Sequence, residues 1–258
     1  MRWLVTGLGG TLAPVLAREA RARGHEVLAW PRSEVAPDDA AAGDAWLQQH
    51  RPDAIAHLGM GSAGWAARLA GHAAARGIPF LFTSTAMVFH HRPDGPHAVT
   101  DARNAEDPYG RYKRECEDAV QAACPAASIA RLGWQIDPQQ PGNNMLMALD
   151  RWQQERGEVR ASRSWKPACS FMQDTAAALA ELLLQRVAGV THLDSNADEG
   201  HDFLSIVRAL QQAFGRPAWN VTATDDYVHD QRLAGGAARL PALSARLAML
   251  AAPGRRSA

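Results

Sequence analysis

From residue 2 to about residue 132, short apolar runs alternate with longer amphipathic stretches rich in alanine. Apolar runs predict strands over 2–6, 26–30, 54–58, 80–84 and 128–132, and helical periodicity predicts helices over 11–23, 38–50, 62–76 and 110–123. Gly24 and Gly77 fall just past two of these helices, where a residue able to take positive φ ends the last turn. Strands alternating with helices make βαβ units, and right-handed crossovers wind them into a doubly wound parallel sheet of the Rossmann type. After Trp134 the pattern becomes turn-rich over 137–144. It then predicts a helix over 145–156, a loop through Pro167, a helix over 174–186, a strand over 190–193 and a helix over 203–214. The expected architecture is α/β, with residues 1–134 as the Rossmann domain and 135–258 as a smaller C-terminal lobe that partly returns to the sheet. The small, basic tail 251–258 is expected to fray.

Composition narrows what such a chain can do. A length of 258 residues buries a sizeable core. Lysine plus arginine and aspartate plus glutamate balance at 27 each, which argues against a nucleic-acid partner. The longest apolar run, 78–88, is broken by Thr83, Ser84 and Thr85 and falls short of the ~20 residues that span a bilayer, so no membrane segment is expected. The N-terminal residues lack the order of a secretory signal, which makes the cytoplasm the expected location. Cys116, Cys124 and Cys169 show neither CxxC pairing nor ligand spacing, so reduced thiols and no metal site are expected.

The first strand ends in Thr6-Gly7-Leu8-Gly9-Gly10-Thr11-Leu12-Ala13, followed by a helix. Gly7 allows the tight turn, Gly10 lets backbone N–H groups approach a pyrophosphate, and small Ala13 lets the helix pack closely. The phosphates would sit at the positive end of that helix. Gly9, Thr11, Leu12, Ser33 and Leu58 join Gly7 and Gly10 as candidate cofactor residues. Arg32, at the end of the second strand, stands where an acid would otherwise read the ribose, which favours NADP(H), while neighbouring Glu34 keeps NAD(H) open. The run Tyr109-Gly110-Arg111-Tyr112-Lys113 places a phenol and an ammonium on one helical face. A cation beside a phenol is expected to lower its pKa from about 10 and make it an acid and base near neutrality. The coincidence is not cheap in a chain with three tyrosines and two lysines, Lys113 and Lys166. Hydroxyls at the end of the fourth strand face the ligand edge of an open α/β sheet, so Thr85 is the candidate to bond a substrate oxygen, with Ser84 as the alternative. His90, His91 and Arg92 could contact substrate or lie solvated. Trp134, Trp152 and Trp165 could stack on a base or pack a core.

Together the motifs over 6–13, 84–89 and 109–113 resemble the extended short-chain dehydrogenase/reductases, and within them the dTDP-4-dehydrorhamnose reductase family. The similarity continues through Arg131-Leu132-Gly133-Trp134 and Gly142-Asn143-Asn144. It implies that Thr85, Tyr109 and Lys113 form the catalytic set, with Tyr109 protonating a carbonyl oxygen as hydride arrives from the nicotinamide and Lys113 also holding its ribose. It implies too that the lobe after Gly142 grips a nucleotide-linked sugar, for which Ser84, Asn143, Asn144, Trp165 and Lys166 are candidate contacts. The chain departs from the family at Ala86 and Met87, where relatives have aspartate and tyrosine, and after the third strand, where the family's alanine-rich motif and acidic stretch are missing. A keto-sugar reductase is the leading expectation. An epimerase or dehydratase with tightly held NAD, and a non-catalytic NADP sensor, are the alternatives. Either a monomer or a homodimer is compatible with the sequence.

Overall fold

A computed structural model describes residues 1–90, 95–236 and 239–251; His91, Arg92 and the tail from residue 252 lie outside the described residues. Five strands, β1 (Arg2–Thr6), β2 (Glu26–Ala29), β3 (Ala54–His57), β4 (Phe80–Thr85) and β5 (Ser128–Leu132), alternate with α1 (Ala13–Ala22), α2 (Ala40–His50), α3 (Ala63–Arg76) and α4 (Pro108–Ala123). These are joined by β6 (Trp134–Ile136), α5 (Met145–Arg156), β7 (Val159–Ser162), β8 (Trp165–Lys166), β9 (Cys169–Phe171), α6 (Met172–Leu184), β10 (Gly189–Leu193), α7 (Phe203–Ala213), β11 (Val221–Thr224) and β12 (His229–Asp230).

The main sheet has the order β10-β5-β4-β3-β1-β2, with β1 parallel to β2 and β3, and β3 parallel to β4. Near-continuous burial along β1, β3, β4 and β5 is what a sheet covered on both faces requires. Helix boundaries follow local chemistry. Ser62 accepts the Trp65 N–H at the start of α3, and Gly77 ends it at φ +62. Asp107 accepts the Gly110 N–H at the start of α4, with Pro108 in the first turn.

The contacts divide the chain into two units. The first comprises 1–89, 102–131 and 175–191 and contains most of the main sheet; the second comprises the described residues of 90–101, 132–174 and 192–258. Leu4, Ile55, Trp65, Phe82 and Ile129 lie in the core of the first, and Ile136, Leu146, Phe203 and Leu210 in that of the second. The second unit corrects the expectation of a loop through Pro167. That segment contributes β7 and β8, which pair in parallel with β11 and β12, while β6 pairs with β9. Ladders of two to four residues are too short to show alternation, so the pattern carried no sign of them. Among the described residues no helix is long and apolar enough to cross a membrane.

Candidate active site

The strand order reverses between β1 and β3, and a crevice opens at such a point beyond the strands' carboxyl ends. Gly7 leaves β1 at φ +83, and a Cβ there would lie 2.8 Å from the Gly59 nitrogen, so both conformation and space demand glycine. The Gly10 N–H closes the turn on the Gly7 carbonyl at 2.8 Å, while a Cβ on Gly9 would meet nothing within 4 Å. The result is bare backbone facing a cavity of about 350 Å³, lined by Gly7, Gly9, Gly10, Arg32 and Leu58 together with Trp30, Met60 and Trp65. Thr11 and Leu12 follow this loop and Ser33 follows Arg32, none of them lining the cavity; the Leu12 carbonyl accepts the Val15 and Leu16 N–H groups as α1 begins. Trp30, Met60 and Trp65 escaped sequence reasoning because only the tertiary fold folds their segments together.

Beneath the loop, the Thr6 hydroxyl accepts N–H bonds from Leu58 (3.1 Å) and Gly59 (2.9 Å). With its lone pairs taken, Oγ1 donates its own proton to His57 Nδ1 at 2.7 Å. That assignment requires a neutral imidazole, and burial, reinforced by Lys113 and Arg32, pushes the His57 pKa down to about 3. Arg32 donates from Nη1 to the Met60 carbonyl at 2.7 Å, with its guanidinium 5.8 Å from the Trp65 ring centroid.

The second cluster lies at the end of β4. Helix α4 can start there only because Gly110 has no side chain: a Cβ would stand 2.1 Å from the Met87 carbonyl oxygen and 2.5 Å from the Ala105 Cβ. Lys113, 3% exposed, donates from Nζ to the Thr83 carbonyl at 2.9 Å. Its ammonium lies 4.8, 5.7 and 5.9 Å from the ring centroids of Phe82, Tyr112 and Tyr109, an aromatic surround that favours a cation. Burial nevertheless pushes the Lys113 pKa down to about 8, opposed by Cys116 and Glu117. One turn on, Glu117 accepts from Arg131 Nε (2.9 Å) and Nη2 (2.8 Å), fastening α4 to β5.

The expected direction of the Tyr109 shift is corrected. Its pKa is raised, by burial first and then by the Asp107 carboxylate and Cys116, while the Lys113 ammonium is hydrogen-bonded to Thr83 and lies 5.9 Å from the Tyr109 ring centroid. The Thr85 hydroxyl accepts the Met87 N–H at 3.2 Å, which leaves its proton for another acceptor. Ser84 Oγ is buried with no hydrogen-bond partner, a state that costs about 1–3 kcal/mol unless a ligand satisfies it. Ala86 is buried and Met87 is 40% exposed, giving this strand end an apolar border.

The remaining candidates belong to the second unit. Asn144 caps α5: fully buried, it accepts the Met147 N–H at 3.1 Å and donates one amide N–H to the Gln140 carbonyl at 2.6 Å. Asn143 beside it is exposed. Trp165 is half-buried, 4.4 Å from Phe203 and 5.2 Å from Tyr227 between ring centroids, and its enclosed indole N–H has no partner. Trp134 and Trp152 pack into the same aromatic group. The Lys166 ammonium is 3.9 Å from Asp230 and its side chain is 42% exposed.

The family model described as the RmlD substrate binding domain matches residues 62–227. Among curated relatives, a dTDP-4-dehydrorhamnose reductase of Mycolicibacterium smegmatis is 32% identical over 154 residues, spanning 52% of this chain and 45% of that protein. A dTDP-4-keto-6-deoxy-D-glucose reductase of Streptomyces niveus is 29% identical over 211 residues, spanning 74% of this chain and 72% of the relative. The chain therefore aligns to less than half the length of the first relative and to about seven-tenths of the second. Among solved structures, a dTDP-4-dehydrorhamnose reductase from Bacillus anthracis in complex with NADP superposes with a TM-score of 0.79 at 17% identity, covering 95% of this chain and 96% of the other, which shows the shared fold.

Proposed function

Because the chain belongs to the RmlD substrate binding domain family, we propose that it is an NADPH-dependent reductase of a nucleotide-linked keto sugar. The observation that carries this reading is the buried Lys113 ammonium beneath the Tyr109 ring, at the end of the strand that holds Thr85 and the unpartnered Ser84 hydroxyl. The glycine loop fits a dinucleotide, since its side-chain-free backbone lines the cavity, with open space at Gly9, while a Cβ at Gly7 would collide with Gly59. Gly7, Gly9, Gly10 and Leu58 would hold the cofactor, and Arg32 would meet its 2′-phosphate.

When bound, NADPH supplies the hydride that reaches the carbonyl carbon. Tyr109 gives its phenolic proton to the carbonyl oxygen; its raised pKa keeps the phenol protonated at neutral pH, which suits an acid. Lys113 keeps N–H donors beyond the one spent on Thr83, which serve the ribose hydroxyls and favour the phenolate left after proton transfer. Thr85 donates its hydroxyl proton to the substrate oxygen, and Ser84 takes a further substrate oxygen. Solvent returns the proton to Tyr109. The exposed Asn143 amide, the Lys166 cation and the unpartnered Trp165 N–H suit the nucleotide diphosphate and base.

Calorimetry with dTDP and UDP tests the substrate class. Binding of either nucleotide at micromolar concentrations is expected; normal NADPH binding with neither nucleotide bound would make the chain a reductase of free small carbonyl compounds instead.

The lysine also sets an expected pH dependence. In the free protein kcat/KM should fall as pH rises through about 8, where Lys113 loses its charge, while Tyr109, with its raised pKa, is still protonated. Unfolding would not explain that fall. A lysine whose pKa is lowered by folding is protonated more in the unfolded chain between about 8 and its ordinary value, so its contribution to stability grows with pH there. A profile flat from pH 7 to 9.5 would remove Lys113 from the reaction.

A further inference from the structure

The peptide group between Met60 and Gly61 is held from both sides. Its carbonyl accepts from Arg32 Nη1 at 2.7 Å, and its N–H donates to the Tyr112 phenol oxygen at 3.2 Å. Gly61 sits so close to Trp65 that a Cβ there would lie 2.4 Å from its ring, so the segment tolerates no side chain at this position. Arg32 lines the cofactor cavity, whereas Tyr112 stands on α4 beside Lys113. A single amide therefore connects the residue expected to read the 2′-phosphate with the helix that carries the acid. An amide whose N–H is engaged offers a stronger carbonyl acceptor, so the phenol strengthens and orients the bond that holds the guanidinium.

We propose that Tyr112 is a positioning residue for cofactor specificity: through the Met60–Gly61 peptide it holds Arg32 where it discriminates NADPH from NADH. The inference rests on the reading of Arg32 given above. Tyr112 flanks Lys113 with its ring and meets the Cys116 thiol with the same hydroxyl, so the substitution chosen removes the hydroxyl alone, and the lost Cys116 contact, common to both backgrounds, cancels in a cycle with Arg32. Tyr112→Phe keeps the ring over Lys113 and the packing against α3.

The experiment is a thermodynamic cycle of NADPH and NADH dissociation constants for wild type, Tyr112→Phe, Arg32→Ala and the double variant, followed by fluorescence. Tyr112→Phe is expected to weaken NADPH by about three- to tenfold, in line with one lost hydrogen bond, and to leave NADH within about twofold. In the Arg32→Ala background the same substitution is expected to change neither constant, since the effect travels through Arg32. Equal loss for both cofactors, or a loss that persists without Arg32, would reduce Tyr112 to a packing role and overturn the proposal. Selectivity abolished by Arg32→Ala but untouched by Tyr112→Phe would overturn it while sparing the reading of Arg32. Wild type binding both cofactors equally would overturn both.

Discussion

Replacing Tyr109 by phenylalanine should lower turnover by about 10²-fold or more while NADPH still binds with unchanged affinity. The ring is 39% exposed and stands 5.9 Å from the Lys113 ammonium, so the substitution keeps the surface that favours the cation and deletes only the proton. No neighbour replaces it. The Tyr112 hydroxyl accepts the Gly61 N–H and is hydrogen-bonded to the Cys116 thiol, and burial pushes its pKa up to about 12. The Thr85 hydroxyl, which accepts the Met87 N–H and has its proton available to a ligand, is far too weak an acid to release that proton at neutral pH. Single-turnover rates on the reduction of a dTDP-linked keto sugar, with cofactor binding measured in parallel, would check this. A variant that turns over at the parental rate would make the tyrosine–lysine pair a piece of helix architecture.

Gly110→Ala should be nearly as damaging, by a different route. The added methyl would stand 2.1 Å from the Met87 carbonyl oxygen and 2.5 Å from the Ala105 Cβ, and neither is the yielding tip of a long side chain. Relief requires α4 to withdraw from the short turn after β4, and Tyr109 is the residue immediately before the added methyl. Overpacking of this kind costs about 1–3 kcal/mol, so the thermal midpoint should drop by several degrees. Because effective catalysis tolerates little misplacement, turnover should fall by about 10²-fold. Cofactor affinity should change far less, since the glycine loop is built on β1 and β3. A crystal structure of the variant with α4 unmoved, or activity within a few-fold of the parent, would contradict the steric argument.

The first half of the fold was legible because its elements are long and their periods clean. β1 and β5 fall on the residues the pattern marks, and α3 and α4 start at a serine and an aspartate that cap them. The second unit was hidden: β8 is two residues long and pairs with β12, more than sixty positions away. Among site residues, spacing brought Tyr109 and Lys113 together correctly on one face, but not the direction in which the ammonium leans, which depends on the Thr83 carbonyl of another strand. The capping role of Asn144 was hidden for a related reason. An asparagine before an apolar run is as good a helix cap as a ligand contact, and only the structure shows its bond to the Met147 N–H. The role of Gly110 could have been suspected from a glycine in the first turn of a helix, where it weakens the helix unless close approach requires it.

The contrast between the two lysines has a practical side. Lys113 is sealed at 3% exposure, while the Lys166 side chain is 42% exposed, so an amine-reactive dye at mildly alkaline pH meets a single accessible side-chain amine in the described structure. With the exposed α-amino group of Met1 blocked first, labelling would place a fluorophore on β8, beside Trp165, whose emission it would quench. The chain thus carries a built-in reporter for whatever binds next to that tryptophan, with no cysteine engineering required.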